Sequence, residues 1–433
     1  FALWLVLVLF CGAPIFAVHD SIASIVSVVS AKAEIDKQKV SLGTALAIKM
    51  VAYIAVAPVA AAFAERLPRR ALLVGLDLAR AGVALMLPFV TEIWQIYVLI
   101  FVLQSASAGF TPTFQATIPD VLPDESDYTK ALSLSRLAYD MESLVSPALA
   151  ALLLTVVSYH SLFNGTVMGF LASAALVVSA VLPRAKLPPR RSIYERTTRG
   201  ARIYLATPRL RGLLALNLAI ASGSAMVIVN TVVLVQSGLG LTQKATAMAL
   251  AAFGGGSMLV AFTLPKLLEK LPERRVMLAG ASLIALGLFA GVAAPSGYLL
   301  LLALWFVMGI GYSLAQTPSG RLLRRSAREE DRPAVFAAQF ALSHACWLLT
   351  YPLAGWVGAK AGTTTSFLAL AAVATVAIII AIRVWPATED AELHHVHDDL
   401  QPDDPHLNAG AGSGPHKHSH AYVVDDQHPR WPQ

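Results

Sequence analysis

Eight of the chain's eleven histidines fall after Pro386. They stand as His394-His395-Val396-His397-Asp398-Asp399, then His406, His416-Lys417-His418-Ser419-His420 and His428. Neutral imidazole ligates Ni(II), Co(II), Cu(II) and Zn(II), and neighbouring carboxylates such as Asp398 add hard oxygen donors and charge. His416, His418 and His420 fall on one side of an extended chain, whereas His394 with His397 suits a helical turn. An engineered tag would be an unbroken run, and here Asp, Pro and Gly interrupt the spacing. The pattern is that of a metal-binding tail, although binding in a tail is not transport.

A second set of reactive side chains lies inside apolar runs, where an ionisable group costs several kcal/mol unless it faces water or a partner. Arg136 and Asp140 are spaced to pair on one helix face, while Glu142 points to another and has no local partner. Glu142 is either half of an ion pair with another helix or a proton or cation site. His19-Asp20 interrupts the first apolar run, as a buried site or as that run's early end at the outer surface. Asp77 and Arg80 form a structural pair. His344 is a ligand or a core imidazole bonded to a backbone carbonyl; Asn217 and Asn230 contact substrate or bond neighbouring helices.

These residues need elements to hold them. The chain is 56% hydrophobic and 14% charged, with mean hydropathy +0.62. Spanning hydrocarbon takes about 20 largely apolar residues. Twelve segments meet or approach that length, near 1–31, 41–64, 70–90, 93–118, 129–157, 162–183, 210–236, 242–266, 275–294, 297–319, 334–358 and 362–385. The expected fold is an all-α polytopic membrane protein.

The segments form two halves. Glu65-Arg66-Leu67-Pro68-Arg69-Arg70 recurs, with one inserted residue, as Glu269-Lys270-Leu271-Pro272-Glu273-Arg274-Arg275, each a basic hinge between two apolar runs. Phe101-Val102 and Pro147 find counterparts in Phe306-Val307 and Pro352 at a single offset. The expected organisation is a six-helix half over 1–183, a basic linker over 184–209, a second half over 210–385 and a polar, disordered tail over 386–433. Lys and Arg crowd the hinges, the linker and the stretch from Arg321 to Arg332, while alternate loops are nearly free of them. The retention of basic residues on the cytoplasmic side puts both termini in the cytoplasm.

Several functions are excluded or disfavoured. Cys11 and Cys346 lie in apolar runs and support neither a disulfide framework nor a Cys-rich metal site. No G-x-x-x-x-G-K-[ST] occurs, and Gly254-Gly255-Gly256 reads as close helix packing. The net charge of +6 follows the loop asymmetry and gives no reason to invoke nucleic acid. Phe1–Ala17 has no basic region before it and no cleavage site after it, so no signal peptide is expected, and a start at Phe1 reads as a trimmed amino end.

At the first hinge the residues resemble the major facilitator superfamily. Its pattern G-x-L-A-D-R-x-G-R-R is met by Ala61, Phe63, Ala64, Glu65, Arg66, Pro68, Arg69 and Arg70, with Ala61 and Pro68 in place of glycines and Glu65 in place of aspartate. The stretch from Gly109 through Pro123 to Leu134 and Pro147 resembles the branch of macrolide and siderophore exporters. Ser146-Pro147 stands where antiporters carry Gly-Pro, and Glu142 replaces an earlier glycine of that motif. The His-rich tail is similar to that of nickel-resistance permeases, which export Ni(II) and sometimes Co(II).

The resemblance implies a carrier rather than an enzyme, with halves that rock about a midplane cavity lined by segments 1, 4, 7 and 10. His19, Asp20, Asp140, Glu142, Asn217, Asn230 and His344 are then expected along the substrate and proton path. Glu65, Arg66, Arg69, Arg70, Glu269, Arg274 and Arg275 are expected to gate it. His394, His395, His397, Asp398, His406, His416, His418, His420 and His428 are expected to bind metal. The expected activity is export of Ni(II), with Co(II) as a further cargo, by proton antiport from a monomer in a bacterial cytoplasmic (inner) membrane. No tightly bound cofactor is expected; the partners are lipid, protons and transition-metal ions. The alternatives are a proton-coupled exporter of an organic drug or siderophore whose tail buffers metal, and a membrane metal sensor or store that does not transport.

Overall fold

The computed structural model describes residues 42–64, 66–153, 159–183, 191–387, 393–396, 411–414, 417–420, 422–428 and 430–432. Cys11, His19, Asp20, Glu65, His397, Asp398, His406 and His416 lie outside them, as do the side chains of Glu142, His394, His395, His418 and His420.

The first half comprises α1 (Leu42–Ala64), α2 (Arg69–Met86), α3 (Ile93–Val121), α4 (Glu125–Leu153) and α5 (Tyr159–Ser179). A linker helix follows, α6 (Ile193–Ala206), and then α7 (Pro208–Val232), α8 (Gln243–Leu268), α9 (Glu273–Ala290), α10 (Tyr298–Gln316), the short α11 (Ser319–Arg325) and α12 (Arg332–Val384). Gly362, at φ 85°, breaks α12 into two membrane-length arms, 332–361 and 363–384. The described residues hold eight helices long and apolar enough to cross a membrane, α12 counted as one. Their outward faces carry large apolar side chains, Phe89 at 78% and Leu299 at 80% exposure among them, which suits lipid rather than water.

Local chemistry sets the helix ends. The Asp124 side chain accepts from Asp127 N at 2.9 Å and starts α4 at Glu125, ahead of the expected 129. Ser192 and Glu195 form a reciprocal capping box that starts α6. The fourth segment, expected over 93–118, runs on to Val121 as α3 and contains both Pro112 and Pro119. Thr113 and Thr117 each donate back to a carbonyl four residues earlier, at 2.7 and 2.8 Å, so this helix has a weakened ladder along its second half.

The two halves pack differently. In the second, glycines bring backbones together: a Cβ on Gly256 of α8 would meet Phe306 O at 2.0 Å, and one on Gly309 of α10 would meet Phe253 O at 1.9 Å. The close packing expected at Gly254-Gly255-Gly256 is therefore realised against α10. In the first half a Cβ on Gly75, Gly82 or Gly165 would meet nothing within 4 Å. The halves meet where α1 packs on α12 and α4 on α8.

From composition the tail is expected to lack fixed structure. Three short strands stand there, β1 (Leu393–Val396), β2 (Ala411–Gly414) and β3 (Lys417–His420), in the antiparallel order β1-β3-β2. His394 is thus extended, not helical. Beyond them Tyr422, Val424 and His428 are buried, and Trp431 lies 5.2 Å from Tyr422 and under the Arg209 guanidinium. Asp426 pairs with Arg191 and Arg199 at 2.6 Å each, and Asp425 with Arg328 at 2.6 Å. The mean composition conceals this short aromatic and acidic patch, whose partners are arginines of the linker and of the loop before α12.

Burial pushes the Asp425 carboxyl up, but the His428 hydrogen bond and Arg328 outweigh it and hold it below the usual carboxylate range. Asp426 is likewise pushed up by burial and held below its usual value by Arg191 and Arg199. Depressed folded values stabilise docking above the ordinary carboxylate value of about 3.9 and lose it as pH falls through the folded ones. A nitroxide on exposed Gln427, introduced as Gln427→Cys with Cys11 and Cys346 replaced by Ser, should therefore be immobilised at neutral pH and become mobile as acidification passes through the depressed folded values. Paramagnetic resonance line shape reads the change, and Asp426→Asn should give the mobile spectrum already at neutral pH.

Candidate functional site

Between the halves lies a cavity of about 350 Å³. Its walls come from α1 (Lys49, Tyr53), α3 (Phe110, Phe114, Gln115), α4 (Tyr128, Arg136, Tyr139), α10 and α11 (Tyr312, Gln316, Ser319) and α12 (Phe336, Gln339, Phe340, His344, Trp347, Tyr351). Ten of these are Phe, Tyr or Trp. The rings support one another: Phe110 stacks on Phe114 at 5.7 Å and 12°, Tyr53 meets His344 edge-on at 4.7 Å, and Trp347 meets Tyr351 edge-on at 5.3 Å. Such a wall offers flat apolar faces with hydroxyl and amide rims, the surface that holds ring-bearing organic molecules.

The charged side chains of the wall are Lys49 on α1 and Arg136 on α4. Arg136 binds both oxygens of Asp140, through Nε at 3.1 Å and through Nη2. It also donates across the interface, to Ser257 Oγ of α8 at 3.2 Å and to the Tyr312 hydroxyl of α10 at 3.3 Å, and lies over the rings of Tyr139 and Tyr312. One guanidinium thus joins a buried carboxylate of the first half to two hydroxyls of the second. On α1 the Lys49 ammonium sits 5.5 Å above the Tyr53 ring.

At one end of the bundle, where the arginines gather, ion pairs bridge the halves. Asp120, near the end of α3, takes Arg69 of α2 on one oxygen and Arg332 of α12 on the other, each at 2.5 Å. Arg321 of α11 donates to Thr129 at 2.7 Å and binds Glu125, both on α4, while its Nε reaches Glu273 of α9 at 2.9 Å. Arg324 donates to Pro123 O. The linker helix also reaches the cavity: the Tyr204 hydroxyl donates to Gln339 Oε1 at 2.5 Å, and Gln339 is a wall residue.

Two helical halves, an interface cavity and a basic end bridged by the first hinge form a recognisable set. The description of the major facilitator superfamily matches residues 8–272 and 213–400. The chain belongs to that superfamily. It is 24% identical over 301 residues, 66% of this chain and 70% of the relative, to the uncharacterized MFS-type transporter YfiS of Bacillus subtilis (strain 168). It is 25% identical over 153 residues to macrolide efflux protein A of Enterococcus faecalis, spanning 33% of this chain and just 47% of that relative. Among solved structures, the human organic anion transporter MFSD10 (TETRAN) superposes with a TM-score of 0.70 at 12% identity, over 88% of this chain and 97% of that one. A variant of the E. coli fucose:proton symporter FucP gives 0.68 at 16% identity, over 89% and 98%. At these identities both show the fold alone. The superfamily comprises membrane carriers, and the chain is one of them.

The expected site residues divide sharply. Asp140 is buried behind the wall through Arg136, and His344 lies in the wall with Nδ1 donating to Phe340 O at 2.6 Å, which leaves Nε2 as its remaining ring nitrogen. Asn217 and Asn230 lie away from the wall: they donate to Gln339 Oε1 and Ala354 O, both at 3.3 Å, and hold α7 to α12. Of the first hinge, Arg69 reaches the bridging network, Arg70 donates to Ala180 O at 2.6 Å, and Arg66 is exposed. Of the second, Arg274 binds carbonyls at the end of α12, Glu269 and Arg275 are exposed, and Glu273 carries the ion pair. Among the described residues no group of three His, Cys, Asp or Glu is placed to hold a metal ion. His428 Nδ1 is 2.9 Å from Asp425. Asp120, Arg332 and Gln339 were not expected; Asp120 between Pro119 and Pro123 was the one legible signal, a carboxylate at a helix end facing a basic hinge.

Removing the charge of Asp120 leaves Arg69 and Arg332 facing each other. With Asp120→Asn, the labelling rate of a cysteine placed at cavity residue Ser319, by impermeant maleimide added at the basic end, should rise roughly 5- to 150-fold. An unchanged rate would show that this ion pair does not close that end.

Proposed function

We propose that this carrier exports a ring-bearing, amphipathic organic molecule in exchange for protons, with the basic end facing the cytoplasm of a bacterium and both termini on that side. The observation that carries the reading is the cavity wall, ten aromatic rings with hydroxyl and amide rims and one imidazole already bonded through Nδ1. Stacking and edge contacts from such rings hold large organic solutes and offer little to a bare divalent cation, which needs several lone pairs at once. The similarity to proteins named for macrolide efflux supports the same class of cargo.

Energetics favour it as well. Moving a divalent cation out against an interior-negative potential costs about 4.6 kcal/mol per 100 mV, whereas a neutral molecule costs nothing and a monocation is balanced by one returning proton. The Arg136–Asp140 pair stands in contact with the wall, and Arg136 also donates to Ser257 and Tyr312 of the second half, so one guanidinium joins the halves at the cavity.

Metal export is the second reading, favoured by the eight tail histidines. In the organic reading those histidines buffer or sense metal beside the transport cycle.

In everted vesicles carrying the full chain, labelled erythromycin should accumulate only with an acid interior and should collapse with nigericin. Trp347→Ala should lower the apparent affinity about tenfold, equivalent to 1.4 kcal/mol, and deletion of 387–433 should leave accumulation intact. Accumulation of radioactive nickel under the same gradient, without erythromycin uptake, would establish the metal reading instead.

A further inference from the structure

A second ion pair lies within the first half, behind the cavity wall. Asp77 and Arg80 of α2 have fully buried side chains and are bonded through Arg80 Nη2 and Asp77 Oδ1. Ser173 of α5 donates to Asp77 Oδ2 at 2.9 Å. The guanidinium carbon is 4.0 Å from the centre of the Phe110 ring and 4.9 Å from that of Phe170. Among the described residues, Arg80 Nε and Nη1 donate to nothing. Among the described residues, the titratable and charged groups that face the pair are Tyr53 from α1 and the two partners themselves; α3 and α5 present Phe110, Phe170 and Ser173.

A pair kept for packing is an expensive choice, because apolar side chains of similar volume do the same work without desolvating two charges. Among the described residues its Nε and Nη1 also meet no acceptor, which one conformation of a carrier tolerates when another supplies it. Its position gives it a lever. Phe110 has Arg80 on one side and the cavity on the other, stacks on Phe114, and lies two residues before Pro112, where the α3 ladder is interrupted. The far end of α3 carries Asp120, the residue that ties the halves together.

We propose that Asp77 takes up and releases a proton in the transport cycle, and that Arg80 with Phe110 carries its charge state to the cavity wall. A proton from the acidic side adds to the carboxylate, which becomes neutral. Arg80 then has no counter-ion at Asp77, its N–H groups turn to acceptors on α3, and Phe110 shifts with them. When the cavity faces the cytoplasm the proton leaves, the carboxylate recovers Arg80, and one proton has moved opposite to one cargo molecule. The proposal rests on the proton-coupled reading above and is independent of which organic molecule is carried.

The test uses the full chain in proteoliposomes and two readouts. By infrared difference spectroscopy between pH 8 and pH 5, the wild type should show a carboxylic C=O band that is absent from Asp77→Asn and retained in Asp140→Asn. With erythromycin as the probe, Asp77→Asn should lose at least about tenfold of gradient-driven efflux while keeping energy-independent erythromycin exchange within about twofold of wild type. Ser173→Ala keeps the ion pair but removes a donor to the ionised carboxylate, and should move the pH profile of efflux to higher pH. Persistence of the infrared band in Asp77→Asn overturns the proposal, as does an unmoved profile in Ser173→Ala. If wild type carries no erythromycin, the cargo reading fails while the infrared band still decides the role of Asp77.

Discussion

A charge in hydrocarbon is costly without an answering group, and this constraint orders the described helices. The described helices turn Phe, Leu, Ile and Val to the lipid and bring their few ions inward, where each is met. Asp77 meets Arg80, Asp140 meets Arg136, and Asp120 meets two arginines from opposite halves. The three clusters do different mechanical work. The first is sealed within one half, the second spans the wall of the cavity, and the third ties the halves at one end. Because an ion pair between moving bodies is either made or broken, a carrier built this way passes between discrete arrangements rather than flexing continuously.

The architecture was legible in the sequence because it rests on length and periodicity, which need no knowledge of contacts. Apolar runs mark the helices, and the repeated Glu-Leu-Pro-Arg hinge marks the halves. Contacts between distant segments left no such trace. Nothing in the hinge shows that Arg69 would be held by Asp120, or that in the second hinge Glu273 rather than Glu269 would carry the ion pair. The asparagines illustrate the same gap: Asn217 and Asn230 have the chemistry of a substrate site, but their positions on α7 face α12, where an amide is consumed by helix packing.

The cargo was the hardest part to read, for a physical reason. A histidine-rich tail is conspicuous in a linear text, and a ring-lined cavity is not, since its rings come from α1, α3, α4, α10 and α12 and no two of those helices advertise their neighbours. The acidic residues between the histidines also had a role composition concealed. Asp425 and Asp426 answer arginines of the linker and of the loop before α12, and so fasten the end of the chain to the second half.

The glycine contacts of the second half carry a consequence for how motion is shared. Where α8 and α10 seat glycines against carbonyl oxygens, and α9 does so against α10, the helices have no soft side-chain layer between them to absorb displacement. The first half lacks such seats among its described helices and holds α3, whose ladder is interrupted at Pro112 and Pro119. The transporter is in this respect a stator and a spring. Close backbone seats stiffen the contact of α10 with α8 and α9, while the interrupted ladder of α3 leaves that helix of the first half easier to deform.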